Sequence, residues 1–197
     1  MRTVLTLVFA LASLASSALA AECVYTLNNK SVVAGWTAYK TNEKLAVGGQ
    51  FKKVDLSGKN AGPSLFKMVE GVEVRADVMS VNTENPGRDK TLADFFFAKL
   101  SPGPAVGKIK QYDEKAGKAV LALTLNGKQK DVPLKVEVKG DNVSATGDID
   151  ILDFGGKDAF DSIHAKCLDQ HKGKDGVSKT WSAVTLNIKA GFTKACP

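Results

Sequence analysis

Residues 72–78 alternate without a break: Val72, Val74, Ala76 and Val78 fall on one side, and Glu73, Arg75 and Asp77 on the other. Successive side chains of an extended chain point to opposite faces, so this pattern specifies a strand with one buried face and one wet face. The pattern recurs at Val132, Leu134, Val136 and Val138 against Lys135, Glu137 and Lys139. It recurs again at Val143, Ala145, Gly147, Ile149 and Ile151 against Ser144, Thr146, Asp148 and Asp150. A last run puts Val184, Leu186, Ile188, Ala190 and Phe192 opposite Thr185, Asn187 and Lys189. Four strands that are each wet on one side must share their apolar side, which is the signature of an antiparallel sheet.

Further strands are expected at residues 32–40, 46–56, 106–113 and 119–125, giving eight. Turn chemistry pairs them: residues 113–117 (Asp-Glu-Lys-Ala-Gly), Asn126-Gly127 and residues 139–142 (Lys-Gly-Asp-Asn) separate neighbouring runs, and Asn-Gly between alternating segments is a strong hairpin signal. Residues 106–151 therefore read as a four-stranded meander. Two helices are expected. One spans residues 88–100, with Asp89 or Thr91 as cap. The other spans 157–171, with Phe160, Ile163 and Cys167 on one stripe. The fold class that follows is mainly β: an eight-stranded antiparallel barrel curled over its own apolar face, with two helices in the crossovers.

The first 20 residues stand apart. Arg2 is their only charge, an apolar run follows, and Ala18-Leu19-Ala20 ends the segment in the small-residue pattern of signal-peptide cleavage. The expectation is a cleaved secretory signal over 1–20 and one domain over 21–197, placed in the periplasm. Ser13, Ser16 and Ser17 and the lack of a basic stop weigh against a membrane-spanning helix, and Glu22 before Cys23 against a lipid anchor. The formal charge of +6 becomes +5 without Arg2. It is spread thinly, without an aromatic-basic stripe, so nucleic acid is not an expected partner, while transient contact with an anionic membrane surface stays open.

Several stretches carry a family resemblance: Trp36-Thr37-Ala38-Tyr39-Lys40, Val47-Gly48-Gly49-Gln50-Phe51, Ser80-x-Asn82-Thr83 leading to Arg88-Asp89 and Phe95-Phe96-Phe97, then Leu123-Thr124-Leu125-Asn126-Gly127 and Ile151-Leu152-Asp153-Phe154-Gly155. In order and spacing they resemble the YceI-like family of periplasmic polyisoprenoid-binding proteins with a lipocalin-like barrel. The resemblance spans nearly the whole chain after residue 20. Two departures stand out: Asn126 replaces the histidine common in the family, and the segment from residue 157 is longer. What it implies is a carrier for a long-chain amphipathic lipid, isoprenoid in character, with homodimers known in the family.

In such a barrel the inward faces would line a cavity, with Phe51, Val74, Val78, Leu121, Leu123, Val184, Leu186 and Ile188 as wall residues. The alternative is a filled core serving a non-catalytic interaction or stress-related module, since alternation alone does not separate cavity from packing. Phe95, Phe96 and Phe97 cannot all face one way on a helix and are assigned to the mouth or the cavity. Arg88 is the head-group candidate, its planar fork suiting phosphate, although an Arg88–Asp89 pair fixing the loop is the favoured reading of that dipeptide.

His164, Cys167 and His171 share one helical face and form a minor alternative as a zinc or copper site. No further ligand cluster supports it, and no cofactor is expected. Of three cysteines two should pair in an oxidising setting. Antiparallel closure of the barrel by its first and last strands favours Cys23 with Cys196, with Cys167 to Cys196 as the rival. No catalytic triad, phosphate-cradling loop or HExxH motif is present, and Asp148 and Asp150 sit on the wet face of a strand, so an enzyme is not expected.

Overall fold

The structure, a computed structural model, describes residues 22–197; the expected leader over 1–20 lies outside them. The described chain forms β1 (Val24–Lys40), β2 (Leu45–Phe51), β3 (Val54–Ser57), β4 (Ala61–Gly62), α1 (Leu65–Val69), β5 (Glu73–Ala76), β6 (Val81–Asn82) and α2 (Pro86–Phe95). It continues through β7 (Ala105–Asp113), β8 (Lys118–Leu125), β9 (Lys128–Lys139), β10 (Asn142–Asp150), α3 (Lys157–Lys166) and β11 (Thr180–Ala195). The sheet is antiparallel and runs β3-β5-β7-β8-β9-β10-β11-β1-β2-β6, with β4 added beside the start of β1. The expected meander is its centre, β7 to β10.

The fold class is the expected one, a mainly β curled barrel, but the strand count is eleven among the described residues rather than eight. Two of the three added strands are the two-residue β4 and β6, and the third comes from a break. The single strand expected at 46–56 is two, β2 pairing with β1 and β3 pairing with β5. The chain itself, bending at Lys52 and Lys53, thus joins the two ends of the sheet. Lys52 N donates to Ser80 O and Asp77 N to Lys53 O, both at 3.0 Å, pinning the corner. The sequence carries the mark of this break: Val47, Gly49 and Phe51 share one parity, Val54 and Leu56 the other. A one-residue slip turns a strand's apolar set over, so the chain keeps both halves facing inward only by bending between them.

The same logic extends β1 backward. Leu27 is buried on odd parity, whereas Trp36 is buried on even parity, and the β1–β11 register shifts between Asn28 and Val33. Ser31 fills that irregularity, its hydroxyl donating to Asn28 O (2.7 Å) and accepting from Gly191 N (2.6 Å). Beyond it, Val24 pairs with Ala195, and a disulfide joins Cys23 to Cys196, leaving Cys167 free. Val138, expected on the apolar face, is 41% exposed at the end of β9.

Asn126 and Gly127 both take positive φ, 52° and 70°, and make the two-residue β8–β9 turn that their dipeptide specifies. The Asn126 side chain then fastens two loops, Nδ2 donating to Phe154 O (2.9 Å) and Oδ1 accepting from Ser101 N (2.6 Å).

The helices depart from expectation at their ends. α2 is capped by Asn85, which accepts from Arg88 N at 3.0 Å, because Pro86 at the first helical position sets the start earlier than Asp89 or Thr91. It ends at Phe95 and a 3₁₀ turn covers Phe97–Lys99. α3 stops at Lys166 rather than 171. The short α1, too brief to leave a periodic signal, plugs one end of the barrel with Leu65 and Met68 against Leu27, Val72 and Phe192. No helix among the described residues is long and apolar enough to cross a membrane.

Candidate ligand-binding cavity

The barrel is hollow. A cavity of about 640 Å³ runs from Leu27 and Met68 at the α1 end to Lys40, Gln170 and Trp181 at the end covered by α2 and α3. That size lies within the roughly 300–1,000 Å³ typical of small-molecule sites. A filled core is thereby excluded as the state of this interior.

The wall is apolar because the inward parity of each strand is apolar. Phe51 from β2, Val74 from β5, Leu121 and Leu123 from β8, and Val184, Leu186 and Ile188 from β11 all line the cavity, as does Val78 just after β5. Phe96 and Phe97 line it too, and Phe97 meets Phe51 edge-on at 5.6 Å and Phe96 at 5.1 Å between ring centroids. Phe95 does not. Three consecutive residues fan out around a helix axis, and Phe95 is turned away, beneath Lys166 Nζ at 4.9 Å.

Two glycines make room for the wall. A Cβ at Gly49 would stand 2.4 Å from the Trp36 ring, so the indole lies flat across β2 only because that position is bare. At Gly147 a Cβ would reach 2.6 Å from both Leu134 Cδ2 and Pro133 O, which lets β9 and β10 close up beside the cavity. Trp36 Nε1 is buried without a hydrogen-bond acceptor from the described residues.

Arg88 stands at the cavity mouth, as its assignment requires, but does not pair with Asp89. Both residues grip Thr83 instead: Arg88 Nε donates to Thr83 Oγ1 and Nη2 to Thr83 O, each at 2.9 Å, while Asp89 accepts from Thr83 N (2.7 Å) and Oγ1 (2.5 Å). The loop-fixing reading is thus right in effect and wrong in its partners.

The proposed metal trio is not assembled as a ligand set. α3 ends before His171, and both imidazoles turn Nδ1 to one hydroxyl, His164 at 2.9 Å and His171 at 2.7 Å from Thr180 Oγ1. A hydroxyl has one proton to give and two lone pairs to offer, so at most one imidazole accepts from Thr180 and at least one donates to it. Among the described residues no cluster of three or more His, Cys, Asp or Glu could hold a metal ion. His171 and Cys167 reach the cavity mouth, whereas His164 does not. Burial pushes the Cys167 thiol above its ordinary value, only partly opposed by Lys166 and Lys40. Burial, with Lys40 and His164 nearby, holds His171 below the usual histidine value.

Sequence reasoning missed Lys40, Lys166, Gln170 and Trp181 at the mouth. Lys40 had a readable signal, since it continues the even-numbered inward face of Ala34, Trp36 and Ala38 and is the one charge on it. Lys166 and Gln170 had none, because only the fold brings the end of α3 over the opening.

A family model described as a YceI-like domain matches residues 25–192. No curated protein matches the chain significantly. Among solved structures, the chain is similar to a polyisoprenoid-binding domain from Saccharophagus degradans implicated in plant cell wall breakdown, at 14% identity and a TM-score of 0.57, over 88% of this chain and 98% of that one. It is also similar to BcnA of Burkholderia cenocepacia, at 16% identity and a TM-score of 0.54, over 85% and 99% of the two chains. At such identities the likeness concerns the fold.

Proposed function

The chain belongs to the YceI-like domain family, and from that premise we propose that it is a non-catalytic periplasmic carrier that takes up a long-chain amphipathic lipid, isoprenoid in character. The observation that carries this reading is the hollow barrel, largely apolar along its length, plugged at one end by α1 and charged only at the other. A tail enters at the α2–α3 end and lies against Phe51, Val74, Val78, Leu121, Leu123, Val184, Leu186 and Ile188. Its head stays near Arg88, with Phe96 and Phe97 at the threshold. Each buried methylene contributes roughly 0.8 kcal/mol, so ten supply about 8 kcal/mol before ordering costs, enough in gross terms for useful affinity.

The polyisoprenoid-binding domain among the similar structures supports the choice of ligand class. Export through residues 1–20 is the step that would place the protein where such a carrier works. Contact with a membrane surface during loading, and self-association, belong to the same proposal.

Native mass spectrometry of the purified protein, followed by lipid extraction, tests it. The expected result is a persistent adduct of prenyl-lipid mass, and uptake of an added prenyl lipid by protein stripped of it. Ala145, a small cavity-wall residue, offers a control: Ala145→Phe fills the interior and should abolish uptake in a protein that still unfolds cooperatively. A protein that shows only its own mass and takes up no prenyl lipid would not be a carrier of this kind.

A further inference from the structure

The cavity that would hold the tail carries an unbalanced charge at its mouth. Lys40, Arg88 and Lys166 line it, and not one Asp or Glu does. The three cations surround one opening. Lys166 Nζ lies over Phe95 on α2, two turns from Arg88 on the same helix. Lys40 Nζ donates to Gln170 O at 3.1 Å, just past the end of α3. Lys40 and Lys166 both act on the Cys167 thiol between them.

None of the three makes a direct ion pair, although Arg88 has the Asp89 carboxylate one hydroxyl away across Thr83. Every ion pair among the described residues uses other cations: Lys53, Lys67, Arg75, Lys90, Lys108, Lys110, Lys135, Lys139, Lys157 and Lys172. The carboxylates near the mouth are committed elsewhere. Asp89 holds Thr83, Asp169 pairs with Lys172, Asp175 accepts from Asn42 and Val177 N, and Glu43 accepts from Lys174 N. What anchors the three cations is neutral: a hydroxyl and two carbonyls for Arg88 and Lys40, and an aromatic ring for Lys166. They are positioned without being satisfied.

We infer that the ligand is an anionic amphiphile, its carboxylate or phosphate head clamped between Lys40, Lys166 and Arg88 while its tail lies in the barrel. This rests on the lipid-binding reading above and adds the charge of the head. A neutral head would leave Lys40, Lys166 and Arg88 without a direct anionic partner, whereas an anion accepts charge-assisted hydrogen bonds from all of them. The apolar wall reads the tail and the cations read the head, so the two parts of the ligand can be tested apart.

Three probes with one tail separate them: geranylgeraniol, geranylgeranoic acid and geranylgeranyl phosphate, titrated calorimetrically into lipid-free protein at low and high salt. The expected result is an advantage of about tenfold or more for at least one anion over the alcohol at low salt, shrinking as salt screens the mouth. A preference for the acid points to fatty-acid-like ligands, and a preference for the phosphate to prenyl phosphates. In the double variant Lys40→Gln/Lys166→Gln the anion-to-alcohol ratio should collapse toward one. Because the ratio is taken within each protein, a general loss of fold cancels, and a melting curve confirms the variant is folded. Equal affinity for all three probes would overturn the anionic head and leave the lipid carrier standing. Binding of none would overturn both.

Discussion

Gly49 shows how one missing methyl group shapes the cavity. With the Trp36 ring 2.4 Å from where its Cβ would stand, Gly49→Ala must push the indole off β2 and into the cavity or against Val78 and Phe97, its neighbours in the core. Overpacking of this kind costs roughly 1–3 kcal/mol. The expected outcome in urea is a lower midpoint at unchanged slope, together with reduced lipid capacity. A second residue-scale prediction concerns acid. Burial first, then Lys40 and His164, depress the proton affinity of His171, so on acidification the unfolded chain takes up this proton before the folded one. Stability from His171 is therefore intact at neutral pH and is lost as pH falls from the ordinary histidine value of about 6.5 through the lower folded value. Melting temperatures at about pH 7.5 and about pH 5 should differ less in His171→Gln than in the parent protein, other titrating groups being common to both.

At the scale of elements, the strands follow their apolar periodicity and the helices follow their caps. α2 begins at Asn85 and Pro86, and its cap hydrogen bond orients the helix that covers the mouth. Asn85→Ala should cost about 1 kcal/mol, visible as a lowered melting temperature and as faster amide exchange across α2. The alternating runs of β5, β9, β10 and β11 were legible from residues alone, because a half-buried strand writes its two faces into every second position. The broken strand β2/β3 was legible in principle, through the change of parity between Phe51 and Val54. α1 was not legible: five residues hold too few turns for any period to emerge. The trio His164, Cys167 and His171 misled for a related reason. Helical spacing places residues on one face only while the helix lasts, and α3 ends at Lys166.

For the molecule as a whole, closure is the governing property. β1 and β11 lie side by side along most of their lengths, so the first and last strands meet and the ends of the described chain are brought together. The disulfide Cys23–Cys196 locks that seam across a separation of 173 residues. Confining so long a loop reduces the entropy of the unfolded chain, and removal of such bridges costs typically 2–5 kcal/mol. Cys23→Ser/Cys196→Ser should therefore lower the unfolding free energy in guanidinium by an amount in that range. The barrel should persist at moderate temperature, since its hydrogen-bonded seam does not depend on the bridge.

Read alone, the chain determined its longer strands, their antiparallel pairing, the Asn126-Gly127 hairpin and the apolar character of whatever those strands enclose. These are local matters, settled by the side chains of neighbours in sequence. Whether the enclosed space is filled or open was decided only in three dimensions, because inward residues look the same in both cases and the difference lies in how far apart opposite walls stand. The charge at the mouth was decided there too. Lys40, Arg88 and Lys166 come from β1, α2 and the end of α3, and nothing in their separate surroundings announces that they share one opening.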